Sequence, residues 1–101
     1  MKLIAKFVKA LPTVEGESAN GAWVRGGMVV RTIGGNERLV ALTSFGEDKT
    51  ALCVQFNTDD IVEVGFVPES REFNGKWFTD LRLLSCKQLG MAAGKEVGNG
   101  Q

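Results

Sequence analysis

Apolar and polar residues alternate with a period of two over much of the chain, which is typical of β-strands with one buried face. The alternation is clearest from Arg38 to Phe45 and from Ile61 to Val67. Turn-forming residues separate such runs, and Asn74-Gly75 is the strongest two-residue hairpin signal. The pattern predicts five strands, with a loop from Pro12 to Gly21 after the first; the strands cover residues 2–11, 23–32, 38–45, 61–67 and 76–85.

One segment, between the third and fourth strands, departs from this period. Glu47 and Asp48 open it, and acidic residues favour a helix N-terminus because they oppose its dipole. Leu52 and Phe56 are four residues apart and would share one helical face. We therefore expect a helix of two to three turns that ends at residues 57–60.

This order of elements predicts an all-β domain: a five-stranded Greek-key barrel with one short helix between strands 3 and 4, the OB-fold. Closure removes exposed strand edges, and the helix can plug an open end of the barrel. An SH3-like barrel and a two-sheet sandwich are the alternatives. The pair Gly26-Gly27 indicates a bulge or bend in the second strand. We assign the domain to residues 1–89 and expect 90–101, which carry no pattern, to be disordered.

Composition limits the chemistry that this domain can perform. The 101 residues include no His, which excludes His-based acid–base catalysis and His-containing metal sites. Cys53 and Cys86 have no disulfide or metal spacing and are expected in the core. The acid pairs Glu47-Asp48 and Asp59-Asp60 lie where carboxylates cap helices and form turns. We expect no enzyme activity, no metal and no cofactor.

The sequence predicts neither a signal peptide nor a membrane helix. Lysines at positions 2, 6 and 9 interrupt the first apolar run, and no window approaches the ~18 apolar residues of a membrane helix. We expect a cytoplasmic protein, bacterial or in the host cytoplasm if a phage encodes it, with no membrane partner.

Aromatic and basic residues are concentrated between residues 70 and 82. Three of the eight aromatics, Phe73, Trp77 and Phe78, are interleaved here with Arg71, Lys76 and Arg82. Aromatic rings stack on unpaired bases, and neighbouring cations bind phosphates. The structural alternatives are that Trp77, which has the parity of Leu81 and Leu83, lies in the core, and that Phe73 packs against the barrel or a partner.

Weaker candidates lie in the second and third strands. Trp23 begins the second strand with Arg25 on the same face, and Arg31 ends that strand. Phe45 closes the third strand before Gly46 and either stacks on a base or caps the core.

These residues resemble bacterial single-stranded DNA-binding proteins of the OB-fold type. Leu39–Gly46 is similar to their third strand, Asp59–Gly65 to the entry of their fourth, and Arg71–Leu81 to their basic-aromatic hairpin. The run Ser70–Asp80 also resembles the signature of a small uncharacterised family of bacteria and their phages, with members also taken to have the OB-fold.

The resemblance implies that Phe73, Phe45 and, by a looser match, Trp23 fall at base-stacking positions. Residues 97–101 lack the acidic tip with a terminal Pro-Phe through which the DNA-binding family recruits partners. The leading hypothesis is a non-enzymatic binder of single-stranded DNA, with RNA as the alternative ligand, that acts in replication or recombination as a dimer or tetramer. The competing hypothesis is an OB-like module for protein–protein interaction or oligomerisation that does not touch nucleic acid.

Overall fold

The computed structural model describes residues 1–90, which form five strands and one helix: β1 (Lys2–Ser18), β2 (Gly21–Thr32), β3 (Leu39–Phe45), α1 (Glu47–Cys53), β4 (Ile61–Phe73) and β5 (Lys76–Gly90). The strands close into a barrel in the order β1-β2-β3-β5-β4. Neighbouring strands are antiparallel except β3 and β5, which are parallel where Thr43 meets Arg82. This arrangement confirms the predicted five-stranded Greek-key OB-fold, with its short helix between β3 and β4.

The barrel interior is filled by side chains at alternate positions of the strands and by Cys53 of α1. Burying them removes apolar surface from water, which is the main force that holds a small domain together. Residues packed in this core are Ala5, Phe7, Met28, Val30, Leu42, Cys53, Val62, Val64 and Leu83.

The helix α1 packs against the barrel through Thr50 and Cys53, which are both buried. Thr50 shares a hydrogen bond of 2.9 Å with the buried Ser44 hydroxyl of β3, so both polar groups are satisfied. Glu47 and Asp48 occupy its first turn as predicted. The helix ends at Cys53, earlier than predicted, and Phe56 instead packs its ring 5.8 Å from that of Phe7.

The predicted loop over 12–21 is wrong, because β1 continues to Ser18 and pairs with β2 as far as Ser18↔Gly21. Side chains from Pro12 to Ser18 are nearly all exposed, so the segment has the polar composition of a loop. Its order comes from backbone hydrogen bonds to β2, which leave no apolar pattern in the sequence.

The irregularity predicted at Gly26-Gly27 lies instead on the partner strand, where the register shifts between Leu11 and Val14. Gly27 is required for a steric reason, since a Cβ there would overlap the carbonyl oxygen of Leu42 on β3.

Beyond the barrel, β4 and β5 continue as a two-stranded arm, residues 68–81, closed by the predicted turn at Asn74 and Gly75. Both turn residues have positive φ, 53° and 79°, as a tight hairpin requires. The register divides the arm into two faces. One carries Glu69↔Asp80, Arg71↔Phe78 and Phe73↔Lys76, and the other carries Ser70↔Thr79 and Glu72↔Trp77.

Candidate nucleic-acid interface

A row of adjoining depressions, which we call the groove, lies along the outer face of β2, β3 and the arm. It consists of three depressions of about 440, 510 and 390 Å³. The first two share Arg25 and Phe45, and the last two share Arg71, so the depressions follow one another along a single track. Other residues that line the groove include Trp23, Glu47, Thr43, Asp80, Phe73 and Phe78, and Glu72 borders the last depression from the opposite face of the arm.

The first arginine–ring pair of the groove is Arg25 and Trp23, which alternate along β2 and therefore share a face. The guanidinium carbon of Arg25 lies 5.6 Å from the centre of the Trp23 ring. The ring lies over Gly16, its cross-strand partner on β1, where any Cβ would overlap it. The Trp23 ring thus packs on the backbone of the extended part of β1.

The second pair is Arg82 and Phe45, which come from β5 and the end of β3. Phe45 faces Arg25 across the β2–β3 ladder and is 42% exposed, so it does not merely cap the core. The guanidinium carbon of Arg82 lies 5.0 Å from its ring centre. Arg82 also donates through Nη1 to Oε2 of Glu69 at 3.3 Å.

The third pair, Arg71 and Phe78, lies directly across the two strands of the arm. The guanidinium carbon is 5.9 Å from the ring centre, and Nη1 donates to Oδ2 of Asp80 at 2.6 Å. Phe73 follows on the same face nearer the tip and is 65% exposed, with Lys76 opposite it.

The groove thus repeats one unit three times: an aromatic ring beside an arginine. Such pairs are attractive because the face of the ring carries negative charge, and at exposed sites each contributes about 0.5–1 kcal/mol. Two of the three arginines are neutralised by a carboxylate. Within residues 1–90, Arg25 and Lys76 make no ion pair.

Most of the residues predicted as candidate site residues do come together. Those that line the groove or border it are Trp23, Arg25, Phe45, Arg71, Phe73, Lys76 and Arg82.

Two predicted site residues lie elsewhere. Trp77 is 69% exposed on the opposite face of the arm, so neither the core nor the groove contains it. Its parity does match that of the buried Leu83, but the barrel ends before the strand reaches position 77. Arg31 stands at the far end of β2, where it pairs with Glu37 at 3.7 Å.

Phe78 is a groove residue that we did not predict as a site. It is 44% exposed and lies between Phe73 and Arg82 on the groove face. The signal was present in the sequence, because a two-residue turn at Asn74-Gly75 fixes the register and sets residue 78 opposite Arg71.

Both cysteines of the described chain have a raised pKa. Burial raises the pKa of Cys86 to about 11, with a further contribution from the charge of Cys53, whose own pKa burial also raises. Asp60 stabilises a turn, since its Oδ2 accepts a hydrogen bond of 2.8 Å from the backbone N–H of Asn57. Residues 1–90 contain no group of three or more His, Cys, Asp or Glu that could hold a metal ion. None of the helices described is long and apolar enough to cross a membrane.

A family model for a domain of unknown function, DUF3127, matches residues 2–86. The chain belongs to the DUF3127 family. No curated protein matches it.

Solved structures similar to this DUF3127 protein include the mitochondrial single-stranded DNA-binding protein Rim1 of S. cerevisiae. One crystal form has 15% identity and a TM-score of 0.68, over 91% of this chain and 96% of that one. A second form has 14% identity and a TM-score of 0.54, over 91% and 95% of the two chains. The small single-stranded DNA-binding protein of Streptomyces coelicolor has 15% identity and a TM-score of 0.47, over 87% and 91%. The likeness to the yeast protein shows that this chain has the same fold.

Proposed function

We propose that this protein is a non-enzymatic binder of single-stranded DNA. The observation that carries the proposal is the row of three arginine–ring pairs along one groove. In each pair the exposed face of the ring would stack on a base while the arginine binds a neighbouring phosphate. A row of such pairs suits a strand whose bases are free, because paired bases cannot offer their faces to side chains.

Two further points support this assignment. The fold is that of the yeast mitochondrial protein, whose name states that it binds single-stranded DNA. The exposed rings are also carried by strands rather than by loops, so little backbone freedom is lost when a base stacks on them. Single strands are exposed during replication and recombination, and we propose that the protein acts there.

The direct test is binding of a fluorescently labelled oligo-dT of about 15 nucleotides, within the range of sites that one OB-fold covers. Anisotropy titrations at increasing salt should give a dissociation constant in the micromolar range or tighter at low salt, and weaker binding as salt rises. Duplex DNA of the same length should bind less tightly, and a matching RNA strand reveals any preference between the two nucleic acids. Failure to bind oligo-dT at low salt would refute the proposal.

Phe73→Ala separates binding from stability. Because the ring is 65% exposed, its removal should leave the melting temperature almost unchanged. Loss of one stacked base should nevertheless weaken binding by about 1–3 kcal/mol. Unchanged affinity would remove Phe73 from the binding site.

A second candidate function, protein–protein interaction or oligomerisation without nucleic acid, is favoured by one observation. Trp77 is 69% exposed outside the groove, and Trp is enriched at protein interfaces. Sedimentation of the wild type and Trp77→Ala would test it. A dimer or tetramer that dissociates in the variant, together with no binding of oligo-dT by the wild type, would favour this function.

A further inference from the structure

The arginines of the groove differ in one respect: Arg71 and Arg82 are held by carboxylates, whereas Arg25 is not. Asp80 and Glu69 lie directly opposite each other in the β4–β5 register, on the groove face of the arm. Each reaches diagonally to the arginine on the other strand. Basic and acidic side chains therefore alternate along the groove face between Phe78 and Phe45.

These carboxylates bind the groups that a phosphate of a nucleic-acid strand would bind. Nη1 of Arg71 donates to Asp80 at 2.6 Å, and Nη1 of Arg82 donates to Glu69 at 3.3 Å. Carboxylate and phosphate oxygens are alternative acceptors for the same guanidinium donors. A phosphate at either arginine must therefore displace the carboxylate or share the arginine with it, and a retained carboxylate repels the incoming charge.

The side chains of both ion pairs are well exposed: those of Asp80 and Glu69 are 40% and 52% accessible. Exposed ion pairs of this kind are weak and can be exchanged without unfolding any part of the arm. A phosphate that replaced either carboxylate would therefore leave the arm folded.

We propose that Asp80 and Glu69 are internal competitors of the phosphate backbone, which set the affinity of the groove for a single strand. This inference rests on the proposed function. The two acids weaken the binding of the strand, whereas the arginines beside them strengthen it.

The experiment compares Asp80→Asn, Glu69→Gln and the double variant with the wild type in oligo-dT titrations. Both substitutions preserve side-chain shape and remove one negative charge. We expect each to tighten binding about two- to five-fold, the range that a weak exposed ion pair allows, and the double variant to combine the two gains. The dependence of log Kd on log salt should also steepen, by up to about 0.7 for each arginine freed to neutralise a phosphate.

Glu63→Gln is the matched control. Glu63 also pairs across β4 and β5, with Lys87 at 3.7 Å, but it lines a separate depression with Lys2 and Cys86, away from the groove. This variant has the same net charge as either single variant, so any general electrostatic gain appears in it too. We expect its affinity to stay within about two-fold of the wild type.

The outcomes separate the two hypotheses. If the wild type binds but Asp80→Asn and Glu69→Gln bind no tighter than Glu63→Gln, the inference is refuted and the proposed function stands. Weaker binding by the two variants also refutes it, because the carboxylates would then be positioning the arginines. If neither the wild type nor any variant binds at low salt, both the inference and the proposed function fail. Melting temperatures close to that of the wild type establish that the variants are folded.

Discussion

Phe78 and Trp77 are neighbours on β5 whose rings point to opposite faces of the arm, and this gives a sharp test of the groove. From residue type alone, Trp77→Ala should be the more damaging change, because Trp is the larger stacking surface and is 69% exposed. The structure predicts the reverse. Phe78 is on the groove face beside Arg71, whereas Trp77 faces away with Glu72.

The magnitude for Phe78→Ala follows from what the ring can contact. Loss of one stacked base costs about 1–3 kcal/mol, which raises the dissociation constant about 5- to 150-fold. The Phe78 ring also lies 5.9 Å from the guanidinium carbon of Arg71 and helps to hold that side chain in place. Removing the ring should therefore weaken binding by about a further 0.5 kcal/mol. Trp77→Ala should change affinity by less than about two-fold, because it removes no contact in the groove.

Anisotropy of a labelled oligo-dT is the suitable assay, since Trp77→Ala removes one of the chain's two tryptophans and would confound intrinsic fluorescence. Phe78→Leu keeps an apolar side chain on the arm while removing the aromatic face, so it distinguishes stacking from packing. If Trp77→Ala weakened binding as much as Phe78→Ala, the strand would not follow the groove face of the arm, and the reasoning would be wrong.

Two further predictions concern stability and thiol chemistry. Gly27→Ala should lower the free energy of unfolding by about 1–3 kcal/mol, measured by urea denaturation, because its Cβ would overlap the Leu42 carbonyl; Gly35→Ala, which meets open space, should not. Because the pKa of Cys86 is about 11, only about one thiol in a thousand is ionised at pH 8, so a disulfide reagent should label it far more slowly in the native protein than in urea. Equal labelling rates in the native protein and in urea would contradict the burial of Cys86. Because the pKa of Cys86 is raised, the contribution of this thiol to stability is complete below about pH 9 and is lost as the pH rises towards 11. Melting temperatures measured across this pH range can detect that loss.

The two faces of the arm could be predicted from the sequence because local chemistry fixes them. Asn74-Gly75 permits a two-residue turn, and that turn sets every cross-strand pair from Phe73↔Lys76 to Glu69↔Asp80. Phe78 could have been placed in the groove by this logic. By contrast, the exposure of Trp77 depends on where the barrel ends, and the alternation of residues along β5 does not report that point.

The groove itself required tertiary information. Phe45 and Arg82 meet because β3 and β5 run side by side where the barrel closes, and these residues are 37 positions apart in the chain. The floor beneath Trp23 depends on Gly16, in a segment whose polar side chains hide its strand conformation. Periodicity identifies which residues share a face of one strand. It does not identify which strands become neighbours.

The chain has 12 basic and 12 acidic residues, and basic and acidic side chains also balance each other locally on the groove face. On the groove face, Arg71 and Arg82 lie within 4 Å of carboxylates, so beyond a Debye length of about 8–10 Å each pair contributes almost no field. Long-range attraction of a strand should therefore be weak, and the binding energy should come from short-range contacts, mainly base stacking, while phosphates exchange with the carboxylates at Arg71 and Arg82. This argument predicts an association rate that changes little with salt, while the dissociation rate carries most of the salt dependence. Stopped-flow measurements at several salt concentrations can separate the two rates. A steep fall of the association rate with salt would show that a distant basic field, rather than local exchange, draws the strand to the groove.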